Sequence, residues 1–197
     1  MSLIARVHSQ LQESASTTLQ AADAIAPAIA AGADAITQCL LNGKKVLTCG
    51  NGPCAANAQH FASALLTQFE MERPSLPAIC LTADSATVTA IANYYEFQDI
   101  FTKQIRALGK DGDLLVIIST SGRSPNILNA IAAAHERGMT VIALTGRDGG
   151  DVAKRLTERD VEIRINSDGT ARILEMHLLA LHCLCDLLDM QLFGQRT

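Results

Sequence analysis

The chain has no tryptophan, and only two tyrosines and five phenylalanines among its 197 residues. That scarcity argues against an aromatic platform for stacked bases. It has no basic block either: 16 lysines and arginines face 20 acidic residues, for a formal charge of −4. Broad binding to nucleic acid or to an anionic membrane is disfavoured on that balance. Polar residues interrupt the apolar stretches well before ~20 positions, so the pattern predicts no transmembrane helix. The start, Met1 to Gln20, is polar and lacks the compact apolar run of a signal peptide. The six cysteines form no C-x-x-C pair and fall mostly in apolar runs. They read as small core residues in a reducing cytoplasm. No repeat or linker divides the chain, whose length suits one well-filled α/β domain.

What is present is an alternation. Strands are predicted at 44–49, 78–82, 114–119, 140–145 and 161–165. Helical patterns separate them at 55–69, 85–92 with 96–108, 126–137 and around 150–156. This order predicts a parallel sheet with helices on both faces, a three-layer α/β sandwich. Before it, residues 3–25 form an amphipathic pattern, and Pro27 is read as starting a second helix that stops at Asn42-Gly43. Residues 1–43 are therefore set apart as a helical segment and 44–197 as the α/β domain. The segment either packs on partner subunits or covers the sheet. The last pattern, Ala171 to Leu192, is apolar nearly all round and should be buried.

Ser119-Thr120-Ser121-Gly122-Arg123-Ser124-Pro125 follows the most apolar strand and opens a helix, with Ser124 as N-cap and Pro125 at the first helical position. Free backbone N–H groups and the positive end of the helix dipole favour an anion there, most simply a phosphate. The competing reading is an ordinary hydroxyl-rich turn. Ligands of open parallel sheets bind beyond the carboxyl ends of the strands. Gly50-Asn51-Gly52-Pro53 and Gly146 to Gly150 fall at the same end. The first lacks the third glycine of a dinucleotide fingerprint, with Ala55 in its place, and no acidic residue follows the second strand at ribose spacing.

Together these blocks resemble the sugar isomerase (SIS) domain, in its phosphoheptose isomerase branch. The resemblance is carried by Cys49 to Gly52, Ala58-Gln59-His60-Phe61-Ala62, Glu72 to Ala78, Ile118 to Gly122, Ala143 to Gly150 and Ala171 to His177. It implies a five-stranded parallel sheet, a homotetramer with active sites shared between subunits, and a phosphorylated sugar as ligand; the N-terminal helices are expected to serve in oligomerisation. By the same resemblance Asn51, Gly52, Asn93, Ser119, Thr120, Ser121 and Ser124 would bind that ligand. It also implies a zinc ion held by two histidines, a glutamate and a glutamine, the glutamate serving as base.

His60 and His182 match the histidines, as metal ligands or as hydrogen-bonded pocket residues. They are the catalytic candidates if the chain is active. The glutamate position is Ala64, the glutamine position Leu174, and the family's Asn-Asp pair is Asn93-Tyr94. Cys54 and Pro53 replace the serine and glycine of the first loop. These departures resemble a non-catalytic member of the branch that associates with the DnaA replication initiator. The expectation is accordingly a tetrameric, sugar-phosphate-binding regulator of replication initiation, with no cofactor assigned. The alternative is an active sedoheptulose 7-phosphate isomerase of lipopolysaccharide heptose synthesis, with zinc.

Overall fold

The structure, a computed structural model, describes residues 1–194. Five parallel strands run in the order β2-β1-β3-β4-β5, formed by β1 (Val46–Gly50), β2 (Ala78–Cys80), β3 (Leu114–Ser119), β4 (Thr140–Gly146) and β5 (Val161–Ile165). The register pairs Val46 with Ala78 on one side and with Leu114 on the other. Seven α-helices accompany them: α1 (Leu3–Leu41), α2 (Pro53–Leu66), α3 (Ser85–Tyr94), α4 (Thr102–Leu108), α5 (Pro125–Glu136), α6 (Gly150–Ala153) and α7 (Thr170–Phe193). The expected α/β sandwich is what forms.

Side chains of a strand alternate between faces, and the two cores divide by that rule. Val46, Leu114, Val116, Ile118, Ile142 and Leu144 join α1, α2 and α7 in one core. Leu47, Leu115, Ile117, Val141 and Ala143 meet α4 and α5 in the other. Helix α2, which follows β1, thus lies on one face, and α5, which follows neighbouring β3, on the opposite face. The chain leaves these two strands in opposite directions, which opens a crevice at their carboxyl ends.

The N-terminal reading needs correction. Leu3 to Leu41 is one helix with Pro27 inside it, not two helices. A proline removes one helical N–H and crowds the carbonyl four residues earlier. Pro27 is exposed, so the freed carbonyl turns to water, while Ile25 and Ile29 continue a single buried stripe through it. By length and composition α1 also passes for a membrane-crossing helix, against expectation. Its C-terminal half is nevertheless committed to the sheet through Ile29, Ala33 and Ile36. Its N-terminal half leaves Leu3, Ile4, Val7, Leu11 and Leu19 exposed. Of the C-terminal pair Leu192-Phe193, Leu192 packs on the core and Phe193 stays partly exposed.

The end of α2 is bolted to α7. The Arg73 guanidinium, buried, binds Asp189 Oδ1 at 2.7 Å and donates to the carbonyls of Ala64 and Leu65, each at 2.8 Å. Those carbonyls belong to the last turn of α2, where helical partners run out. A second buried polar group sits on α7: His177 Nε2 lies 2.9 Å from the carbonyl of Thr145. A carbonyl only accepts, so Nε2 carries the hydrogen and Nδ1 is left without a partner. Burial holds this imidazole down at about 4, well below its ordinary value.

Two outcomes are expected. Arg73→Met leaves Asp189 as a buried unpaired charge and should cost about 3–5 kcal/mol in urea unfolding. His177 binds a proton in the unfolded chain below about 6.5 but in the folded chain only near 4. Stability should therefore fall as pH drops through that window, by roughly 3 kcal/mol from this residue. His177→Gln should remove that part of the pH dependence.

Candidate active site

The loop after β3 folds back on itself. Ser119 Oγ accepts from the N–H of Gly122 at 3.1 Å, and Ser121 Oγ accepts from the N–H of Arg123 at 3.3 Å. Gly122 has φ +62°, and a Cβ there would stand 2.0 Å from the carbonyl oxygen of Gly149. Only glycine lets the two loops meet backbone to backbone. Ser124 is the N-cap of α5 with Pro125 after it, as expected, but its hydroxyl caps no N–H. That hydroxyl and the one on Thr120 are half-exposed at the mouth of the crevice.

The loop after β1 meets it from the other side. Asn51 and Asn126 exchange amide hydrogen bonds in both directions, each 2.8 Å, which ties the first glycine loop to the first turn of α5. Cys54, in the first turn of α2, hydrogen-bonds with the backbone and hydroxyl of Thr120, while burial raises its thiol above its ordinary value. Gly50 carries no Cβ because one would sit 2.7 Å from the Cys54 backbone. Asn51, Gly52, Ser119, Thr120, Ser121 and Ser124 are thus gathered around one crevice. Asn93 is not. It is exposed near the end of α3, a helix with no buried residue, and bonds to none of the others. Arg123 leans outward to Asp148 at 2.6 Å, and that ion pair raises the guanidinium and lowers the carboxyl.

Farther along α2 the helix faces α7. The Asn57 amide donates to the Leu174 carbonyl at 3.3 Å. One turn later His60 meets His182, Nε2 to Nε2 at 3.0 Å, with the rings edge to face. Burial and then the neighbouring His182 lower the proton affinity of His60. One imidazole of the pair donates and the other accepts. The second face of His182 is covered by Phe69 at 5.4 Å between centroids. His182 also borders a cavity of about 460 Å³ together with Phe69, Glu70, Cys183 and Asp186. Glu70 lies beyond the end of α2, yet the turn after the helix brings it to the same cavity as His182. Sequence reasoning missed that placement and the Asn51–Asn126 pair. Both arise from chain reversals that leave no periodic signal.

A four-donor zinc centre does not fit these residues. Ala64 and Leu174 offer no side-chain donor, and His177 is spent on Thr145. Among the described residues no cluster of three or more histidine, cysteine or acidic side chains converges as metal ligands.

Residues 10–146 match the family model described as SIS domain. The chain belongs to the SIS domain family. The phosphoheptose isomerase of Alkalilimnicola ehrlichii is 57% identical over 189 residues, 96% of each chain. That of Chromohalobacter salexigens is 53% identical over 194 residues, 98% of each. Among solved structures, a phosphoheptose isomerase from Francisella tularensis superposes with TM-score 0.93 at 49% identity, covering 96% of this chain and all of that one. GmhA of Neisseria gonorrhoeae gives 0.90 at 46%, covering 95% and 99%.

These likenesses overturn the expected non-catalytic regulator associated with a DnaA-type initiator. They also overturn the leaning against an enzyme. The regulator reading rested on a few pocket positions, Ala64, Leu174 and Tyr94, whereas the identity with isomerases runs along nearly the whole chain.

Gly122→Ala is expected to destabilise the fold by roughly 1–3 kcal/mol, because its Cβ strikes the Gly149 carbonyl at a positive φ. Ser124→Ala, which removes no capping bond, should stay within about 0.5 kcal/mol of the parent. Urea unfolding of both variants measures the contrast.

Proposed function

We propose that this protein is a phosphoheptose isomerase, interconverting sedoheptulose 7-phosphate and the corresponding aldose phosphate. The observation that carries the reading is 53–57% identity over nearly full length to relatives of that name. The geometry supports it. Cys54 touches the hydroxyl loop at Thr120, and His60 lies six residues on along α2, ~9 Å at the helical rise. That is about the reach of an extended sugar phosphate, with its phosphate in the loop and its carbonyl at the histidines.

Loop hydroxyls and N–H groups bind the phosphate, and the N-terminus of α5 adds the positive end of its dipole. At the other end an imidazole with a free lone pair takes the proton from C1 and returns it at C2 of the enediol. The second imidazole carries the hydroxyl proton from one oxygen to its neighbour, so no net proton is gained or lost. His60 suits the first task, because its lowered proton affinity keeps it neutral at neutral pH. Asn93 remains a candidate contact to the sugar from α3. The exposed apolar residues of α1 support self-association, with a homotetramer as the proposed form.

Purified protein should convert sedoheptulose 7-phosphate to the aldose phosphate. His60→Ala and His182→Ala should each lower kcat by ~10²–10⁴-fold. Ser121→Ala should raise KM for the phosphorylated sugar far more than it lowers kcat. Absence of turnover in the parent protein would overturn the reading.

A further inference from the structure

The resemblance implies a zinc centre, and the residues present do not supply one. Two donors of the four-donor set are hydrocarbon side chains here, Ala64 in the last turns of α2 and Leu174 in the first turns of α7. Both are packed rather than open. Ala64 belongs to the core, and Leu174 packs against it with its carbonyl held by Asn57. A catalytic zinc takes three protein ligands and leaves one position open. Two imidazoles fall short, and they are already spent on each other. A zinc-bound imidazole aims a lone pair at the metal, whereas one nitrogen of a directly bonded pair carries a hydrogen along the 3.0 Å contact. Metal entry would break that bond and displace its proton, with no carboxylate at position 64 to offset the charge.

We infer that this site keeps no resident zinc and that the directly bonded His60–His182 pair is itself its proton-transfer end. The catalytic half of this statement rests on the isomerase reading; the metal half does not. Position 64 decides the matter on the α2 side, since i and i+4 residues share a helix face and a glutamate there would stand beside His60. Position 174 does the same on α7, two turns before His182.

The assembled full-length protein is incubated with excess zinc sulfate, gel-filtered, and analysed for metal by mass spectrometry. The expected content is under about 0.1 zinc per chain, the count for a site short of three protein ligands. Turnover of sedoheptulose 7-phosphate should be unchanged, within about twofold, after EDTA treatment. Retention of about one zinc per chain, lost in His60→Ala, overturns the inference whether or not the protein turns over. Turnover that stops with EDTA and returns with zinc also overturns it. Failure to turn over with or without zinc overturns the isomerase reading instead, and the metal count then decides the metal half by itself. The double variant Ala64→Glu, Leu174→Gln restores the missing donors and should take up about one zinc per chain. If that variant keeps the parent's circular dichroism and still refuses zinc, donor count is the wrong explanation.

Discussion

The buried Arg73–Asp189 pair determines how two otherwise separate helices face each other. Helix α2 is launched by a glycine loop at the mouth of the sheet, and α7 arrives at the end of the chain. Both pack on the same face of the sheet, and side chains fix the register of one against the other. The guanidinium does so by binding the α7 carboxylate while finishing the last turn of α2, and it is rigid enough to hold both at once. His60 lies about one turn back from that bolt on α2, and His182 two turns back from it on α7. A lysine at position 73 would satisfy the charge but not the fork of carbonyls. The spacing of the two histidines thus depends in part on a contact outside the crevice.

The fold was legible because a buried parallel sheet writes itself plainly. The run Leu114 to Ile118 has neighbours covering both faces, and each strand is followed by a loop of glycine or hydroxyl residues where the chain must turn. The hydroxyl loop was legible for the same reason, lying between a strand of that kind and a proline-opened helix. What could not be read depends on contacts across the chain. Pro27 looks like a boundary until one sees that its missing hydrogen bond faces water. Ser124 looks like a cap until its hydroxyl is seen to be unused. Asn51 looks available for a ligand until Asn126 is found opposite it.

Function was misjudged for a different physical reason. Counting lost zinc donors at Ala64 and Leu174 treats the metal as the chemistry, when proton transfer between adjacent carbons needs only a base and a group to follow the charge on oxygen. In the proposed mechanism, two imidazoles in contact meet both needs. Absence of a carboxylate from a helix face leaves the pocket its shape, since that shape is held by Arg73, Asn57 and the asparagine pair.

That asparagine pair has one more consequence. Asn51 and Asn126 join loops leaving two different strands, and they do so through neutral amides that neither gain nor lose protons in the range where histidines titrate. The link between these two loops therefore keeps its bonds from mildly acidic to alkaline solution, whereas the exposed Arg123–Asp148 pair nearby is the contact that added salt screens.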